Sequence, residues 1–96
     1  MGWIQFLDPA EIVSEEIGVG APFVIRIEGA SNQSFKLYSR RDDGEYDDTN
    51  FIDIPFSTYL VYSFPDTYYE LRSSSSGATA YWNTVLTTQT DLTRGR

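Results

Sequence analysis

The chain has 96 residues, a net charge of −7, and neither cysteine nor histidine. This composition excludes a disulfide framework and a thiolate metal site, and it removes the commonest general base and metal ligand. The negative charge argues against binding nucleic acid through its phosphates, which requires a basic surface. No apolar run is long enough to predict a transmembrane helix, and no segment reads as a secretory signal peptide.

The pattern along the chain predicts one domain with three parts. Residues 1–8 form an apolar segment that we expect to dock on the domain or to make an oligomer contact. Residues 9–88 are the predicted folded domain, and residues 89–96 form a polar C-terminal tail without periodicity. The large apolar residues of the first segment are Trp3, Ile4, Phe6 and Leu7.

The stretch from residue 67 to 88 reads as two strands joined by a turn of small residues, and it predicts a hairpin. On its first strand Tyr69 and Leu71 share one face, a period of two that is typical of a half-buried strand. Gly77 supplies the positive φ that the turn requires. Trp82 is the largest apolar side chain of the second strand and is expected near the centre of the core.

Further strands are predicted upstream of this hairpin. Residues 23–29 and 34–40 alternate clearly and are expected to pair as a hairpin. The inward-facing residues of these two strands are Phe23, Ile25, Ile27, Phe35 and Leu37. Residues 11–17 favour a short strand over a helical turn.

The middle of the chain predicts two more strands. A tight turn with Gly44 in the left-handed conformation precedes a strand from about residue 45 to 54. Residues 58–64 form the next strand, in which Leu60, Tyr62 and Phe64 alternate with Tyr59, Val61 and Ser63.

About seven short strands, with turns every 8–12 residues and no long helix, predict an all-β fold. The expected architecture is a small antiparallel β-sandwich, Ig-like or jelly-roll-like, or a small barrel. Consecutive strands are expected to pair with one another, because most do.

Two clusters of side chains are candidate sites. Carboxylates on a loop could hold Ca²⁺ as hard oxygen ligands, but their spacing lacks the EF-hand pattern, and a solvated turn is the alternative. This weak calcium candidate comprises Asp42, Asp43, Glu45, Asp47 and Asp48. No residues are placed as a catalytic pair, so no enzymatic activity and no cofactor are predicted.

Tyrosines predicted to face outward form the second cluster: Tyr38, Tyr59, Tyr68 and Tyr81. An exposed aromatic patch marks a protein interface or a platform for stacking sugars. The alternative is that both faces of these strands are covered and the rings form ordinary cross-strand pairs.

The order of features from Phe23 to Thr88 resembles the small β-sandwich accessory proteins of tailed-phage virions. The resemblance lies in the segments FKLYSRRDDGEYDD, YLVYSF and PDTYYELRSSSSGATAYWNTVLTT. It implies a non-enzymatic virion structural protein: a capsid decoration, head-fibre or tail accessory subunit made in the host cytoplasm. The implied partners are other virion proteins and further copies of the chain, without nucleic acid or membrane.

This reading predicts that deleting residues 1–8 abolishes assembly but leaves the domain folded. A carbohydrate-binding module that uses the outward tyrosines is the alternative, with sugar as its ligand. An acidic inhibitor that mimics nucleic acid ranks below both, because most carboxylates cluster in one turn rather than along one face.

Overall fold

The computed structural model describes residues 2–29, 32–55 and 57–84. Within these ranges the protein has seven strands and no helix, so none that could span a bilayer. The strands are β1 (Ile4–Leu7), β2 (Phe23–Glu28), β3 (Phe35–Arg41), β4 (Phe51–Ile54), β5 (Thr58–Val61), β6 (Thr67–Ser73) and β7 (Thr79–Thr84). The predicted all-β class is therefore confirmed.

The strands form two antiparallel sheets that pack face to face. Sheet A has the order β1-β7-β2-β5, and sheet B has the order β4-β3-β6. The two sheets do not join into a closed barrel, so the architecture is that of a small sandwich. In an Ig constant-type domain the last two strands share a sheet, whereas β6 and β7 lie in different sheets here. The strand order is thus not Ig-like.

The core lies between the sheets and follows the predicted alternation. In β2, Phe23, Ile25 and Ile27 are buried, while Arg26 and Glu28 are exposed. The same period of two buries Phe35 and Leu37 of β3 and Tyr69 and Leu71 of β6. Each of these side chains removes apolar area from water at about 25 cal/mol per Å², which is the main term stabilising the sandwich.

Both predicted hairpins are wrong, because the chain changes sheets at each of these turns. β2 belongs to sheet A and β3 to sheet B, and β6 and β7 are separated in the same way. Among the seven strands of the described residues, β3 and β4 are the only consecutive pair that lie side by side. Alternation shows which side chains of a strand are buried, but it carries no information on which strand lies beside it.

The turn from β6 to β7 is held by contacts to two distant segments rather than by strand pairing. The Gln33 side-chain amide donates to the Ser75 carbonyl at 2.7 Å. The Gly77 N–H donates to the Pro9 carbonyl at 2.7 Å, with Gly77 at φ 109° as predicted. These bonds carry the chain across the end of the sandwich and into sheet A.

Several predicted boundaries and positions also differ. The strand predicted from residue 45 begins only at Phe51, since residues 42–50 form turns and irregular chain. Gly44 donates to the Arg41 carbonyl at 2.9 Å without a left-handed φ. Residues 11–17 make isolated bridges to β6 rather than a full strand. The predicted strand 58–64 ends at Val61.

Trp82 is not at the centre of the core. Its ring is only partly buried and lies edge-on to Phe23, with 6.1 Å between the ring centroids. Phe23 and Phe35 are the largest side chains that are fully buried. Trp82 faces inward, but it lies beside Ile4 at the end of the short strand β1 and is therefore incompletely covered.

Candidate interaction surface

One long side of the sandwich is sealed by the segment of residues 9–17. Ile17 and Tyr69 exchange backbone hydrogen bonds of 2.9 and 2.8 Å, and Ser14 donates from its N–H to the Leu71 carbonyl at 2.9 Å. The Ser14 hydroxyl accepts from the Leu71 N–H at 2.8 Å. The Glu15 N–H donates to the Phe6 carbonyl on β1. The segment therefore covers the edges of both β6 and β1.

The opposite side of the sandwich is open. β4 is the outer strand of sheet B and β5 the outer strand of sheet A, and neither has a second neighbour among the described residues. A groove of about 430 Å³ runs between them. The side chains that line it come from both sheets: Ser39, Arg40, Arg41, Asn50, Ile52, Tyr59, Leu60, Val61, Tyr62, Phe64, Thr67 and Tyr69. We call this the open side.

Large apolar side chains are exposed along the open side. Tyr62 is 70% exposed and Phe64 is 66% exposed, the highest values for large apolar side chains in the described residues. Ile52 on β4 and Leu60 on β5 are 44% and 39% exposed. Apolar side chains that adjoin a groove and unpaired strand edges are typical of a surface that binds another molecule.

A polar network covers the outer face of sheet B. Arg40 makes a bidentate ion pair with Glu16, with N–O distances of 2.8 and 3.0 Å, and its guanidinium lies 4.6 Å from the centre of the Tyr68 ring. The Tyr46 hydroxyl donates to Glu16 at 2.6 Å. These contacts tie the segment before β2 to β3 and to the turn that follows it.

Arg72 makes the second half of this network. Its guanidinium lies 4.0 Å from the centre of the Tyr38 ring, and it donates to Glu70 at 2.7 Å and to Asp48 at 3.4 Å. Tyr38 also packs against Phe51, with 5.3 Å between ring centroids. The outer face of sheet B is thus occupied by contacts within the chain and offers no free stacking platform.

The network predicts a loss of stability at high pH. Burial, followed by the hydrogen bond to Glu16, raises the pKa of Tyr46 above its ordinary value. The contribution of the protonated hydroxyl is complete below about pH 10, where unfolded tyrosine titrates, and it is lost as pH rises through the raised pKa. Tyr46→Phe removes this hydrogen bond and should cost about 1 kcal/mol at neutral pH. The difference in melting temperature between the two proteins should stay constant from pH 7 to about pH 10 and should shrink as the pH rises further. A gap that widens with pH would contradict this assignment.

The four predicted outward tyrosines do not share one surface. Tyr38 and Tyr68 lie on the outer face of sheet B, where the arginines cover them. Tyr59 pairs with Ile25 and packs against the core, so its predicted outward direction is wrong. Tyr81 lies opposite Arg26 on the outer face of sheet A. No common plane of exposed rings is formed by these residues.

The apolar N-terminal segment is part of the sandwich. β1 pairs with β7, and Phe6 and Leu7 are buried in the core, so these two residues are not available to a partner. Trp3 and Ile4 are exposed at 41% and 50%. Trp3 is in turn contacted by Arg26, which lies 5.8 Å from its ring centre. Residues 4–7 are therefore a strand of the domain rather than a separate docking segment.

The acidic cluster is dispersed in the structure. No group of three acidic side chains converges to hold a metal ion in the described ranges, so the weak calcium candidate finds no geometric support. Asp47 instead accepts two hydrogen bonds of 2.9 Å from Thr49, which lower the pKa of its carboxyl group. Asp48 accepts from Arg72, while Asp43 and Glu45 are exposed.

Sequence reasoning missed the apolar side chains of the open side. Leu60, Tyr62 and Phe64 formed one predicted face of a strand, but the buried face of β5 is the one with Val61. One signal could have found them: residues 54–65 contain no charged side chain, in a chain that is 22% charged. The predicted C-terminal tail and the last residues of the predicted final strand lie outside the described residues.

The fold and the open side define an all-β protein with an exposed apolar groove between β4 and β5. No protein-family model matches the chain, and no curated protein or solved structure matches it significantly. Its function is therefore inferred from its own residues and geometry.

Proposed function

We propose that the chain is a non-enzymatic virion structural protein of a tailed phage, which binds capsid or tail components and other copies of itself. The open side is the observation that carries this proposal. It combines two unpaired strand edges with exposed apolar side chains, whereas the opposite side of the sandwich is sealed by residues 9–17. Structural subunits bind through such edges and apolar surfaces, because both leave groups that a neighbour can satisfy.

The electrostatics are compatible with this role. Arginines 26, 40 and 72 are each paired with a carboxylate of the same chain. The negative net charge keeps unassembled subunits soluble and limits indiscriminate association, while the exposed apolar side chains of the open side remain available for contact. Binding would then depend on apolar burial and backbone pairing rather than on ion pairs.

A carbohydrate-binding module is the second candidate. The rings of Tyr62 and Phe64 are exposed beside the side chains of Asn50 and Thr67, a combination of stacking surfaces and polar groups that sugars use. The aliphatic walls formed by Ile52 and Leu60 favour the first proposal, since they cannot hydrogen-bond to sugar hydroxyls.

Immunodetection tests the proposed function. Antibodies raised against the purified chain would probe virions prepared from the organism that encodes it, with gold labelling to locate the epitope. We expect the chain at a fixed stoichiometry on the capsid or tail. Its recovery only outside particles would contradict the virion role. Glycan-array hits that disappear in a Tyr62→Ala, Phe64→Ala double variant would then support the carbohydrate-binding alternative.

A further inference from the structure

β5 is short, at four residues, but among the described residues no charge, proline, bulge or covering segment protects its edge from pairing. Natural edges are blunted by charges, proline, bulges or a covering segment. β4, the neighbouring free edge, contains Asp53 and is followed by Pro55. β6 is covered by residues 12–17. β5 has the sequence TYLV and lies within the uncharged residues 54–65.

The backbone groups of β5 that face outward can be identified. The Ile27 N–H donates to the Ser57 carbonyl at 2.8 Å, and Arg26 lies opposite Thr58. In an antiparallel ladder this makes the Arg26–Thr58 pair a non-hydrogen-bonded one. Tyr59 therefore directs its N–H and C=O groups to β2, while those of Thr58 and Leu60 point away from the sheet.

We propose that β5 pairs with β5 of a second copy of this chain across a two-fold axis at Tyr59. The inference rests on the proposed function, because it names the contact by which the chain binds itself. The register is self-complementary. Thr58 then faces Leu60 of the partner subunit and Leu60 faces Thr58 of the partner subunit, so the outward groups of both strands form about four hydrogen bonds. Two four-stranded sheets become one continuous sheet.

The β5 edge is a place where two copies of this acidic chain can meet without bringing like charges together. Two chains of net charge −7 repel each other wherever acidic surfaces meet. The β5 edge brings together uncharged side chains only, and the exposed rings of Tyr62 and Phe64 continue the apolar surface next to it. Isologous pairing of this kind is also the commonest symmetry of soluble homo-oligomers.

Light scattering coupled to size-exclusion chromatography tests the pairing through Leu60. The wild-type chain should have a mass about twice the 10.9 kDa of one chain. Leu60→Pro removes an N–H that points outward and leaves the β2–β5 ladder intact, so it should raise the dimer dissociation constant roughly tenfold or more. Leu60→Ala is the matched control: it keeps the N–H and should remain dimeric. A monomeric wild type would overturn the proposed dimer. Equal effects of the proline and alanine substitutions would overturn the proposed register.

A cysteine cross-link tests the position of the two-fold axis independently of the proline variant. The chain has no cysteine, so a single introduced thiol gives an unambiguous signal. Residue 59 on the axis would bring its two Cα atoms to about 4.5 Å, within disulfide reach. Tyr59→Cys should give an oxidised dimer in non-reducing gels. Tyr62→Cys should not, because residue 62 lies three residues from the axis in each copy and its two Cα atoms would be too far apart. Cross-linking of both variants alike, or of neither, would overturn the proposal. A dimer absent from virions would contradict the proposed function and leave this interface standing.

Discussion

Phe23→Ala is expected to lower the free energy of unfolding by about 3–5 kcal/mol, the largest effect of any single substitution considered for this chain. Phe23 is fully buried and makes edge-to-face contacts with Trp82 of its own sheet and with Tyr69 of the other, the latter at 5.4 Å between centroids. The truncation removes the buried apolar ring that contacts both sheets, and it leaves a cavity between them. Since small domains are stable by only about 5–15 kcal/mol, the variant should be close to unfolding.

Urea titrations followed by circular dichroism would measure this loss. Phe64→Ala is the matched control, because it removes the same atoms from a side chain that is 66% exposed on the open side. It should change the free energy of unfolding by about 0.5 kcal/mol or less in the monomer. Similar losses for the two variants would mean that Phe23 is not a central residue of the core.

Leu7→Ala should destabilise the domain by about 2–5 kcal/mol, and deletion of residues 1–8 should leave it unfolded. Leu7 is 1% exposed, and β1 occupies the edge of sheet A beside β7. The deletion also removes the carbonyl of Phe6 that accepts from the Glu15 N–H. The sequence-based expectation was the reverse, a folded domain that only fails to assemble.

Thermal melts of the Leu7→Ala variant, the Ile4→Ala variant and the protein lacking residues 1–8 test whether β1 is part of the core or a docking segment. Ile4→Ala is the control on the same strand, because Ile4 is half exposed and its truncation should cost about 1 kcal/mol or less. A destabilised Leu7→Ala beside a near-normal Ile4→Ala would establish β1 as part of the core. A cooperative melt of the deleted protein near the wild-type temperature would instead restore the docking-segment hypothesis.

The open side could be only partly predicted from sequence. The inward face of β2 was correctly assigned because Phe23, Ile25 and Ile27 alternate with a charged or smaller residue at every second position. β5 has no charged residue to mark its wet face, so both faces read as apolar and Tyr59 was assigned the wrong direction. The prediction that Tyr38 is an exposed ring was wrong for a different reason. Tyr38 does face outward, but Arg72 and Phe51 bury it there.

Sequence alone determined the all-β class, most of the strands and the inward-facing residues of β2, β3 and β6, because side-chain alternation is a local property of an extended chain. Only the tertiary structure decided which strands are neighbours, since pairing depends on contacts between residues far apart in the chain. β7 lies between β1 and β2 rather than beside β6, and residues 9–17 cover one side of the sandwich. This strand order and the position of residues 9–17 leave β4 and β5 without a covering segment among the described residues. The candidate interaction surface lies between these two strands for that reason.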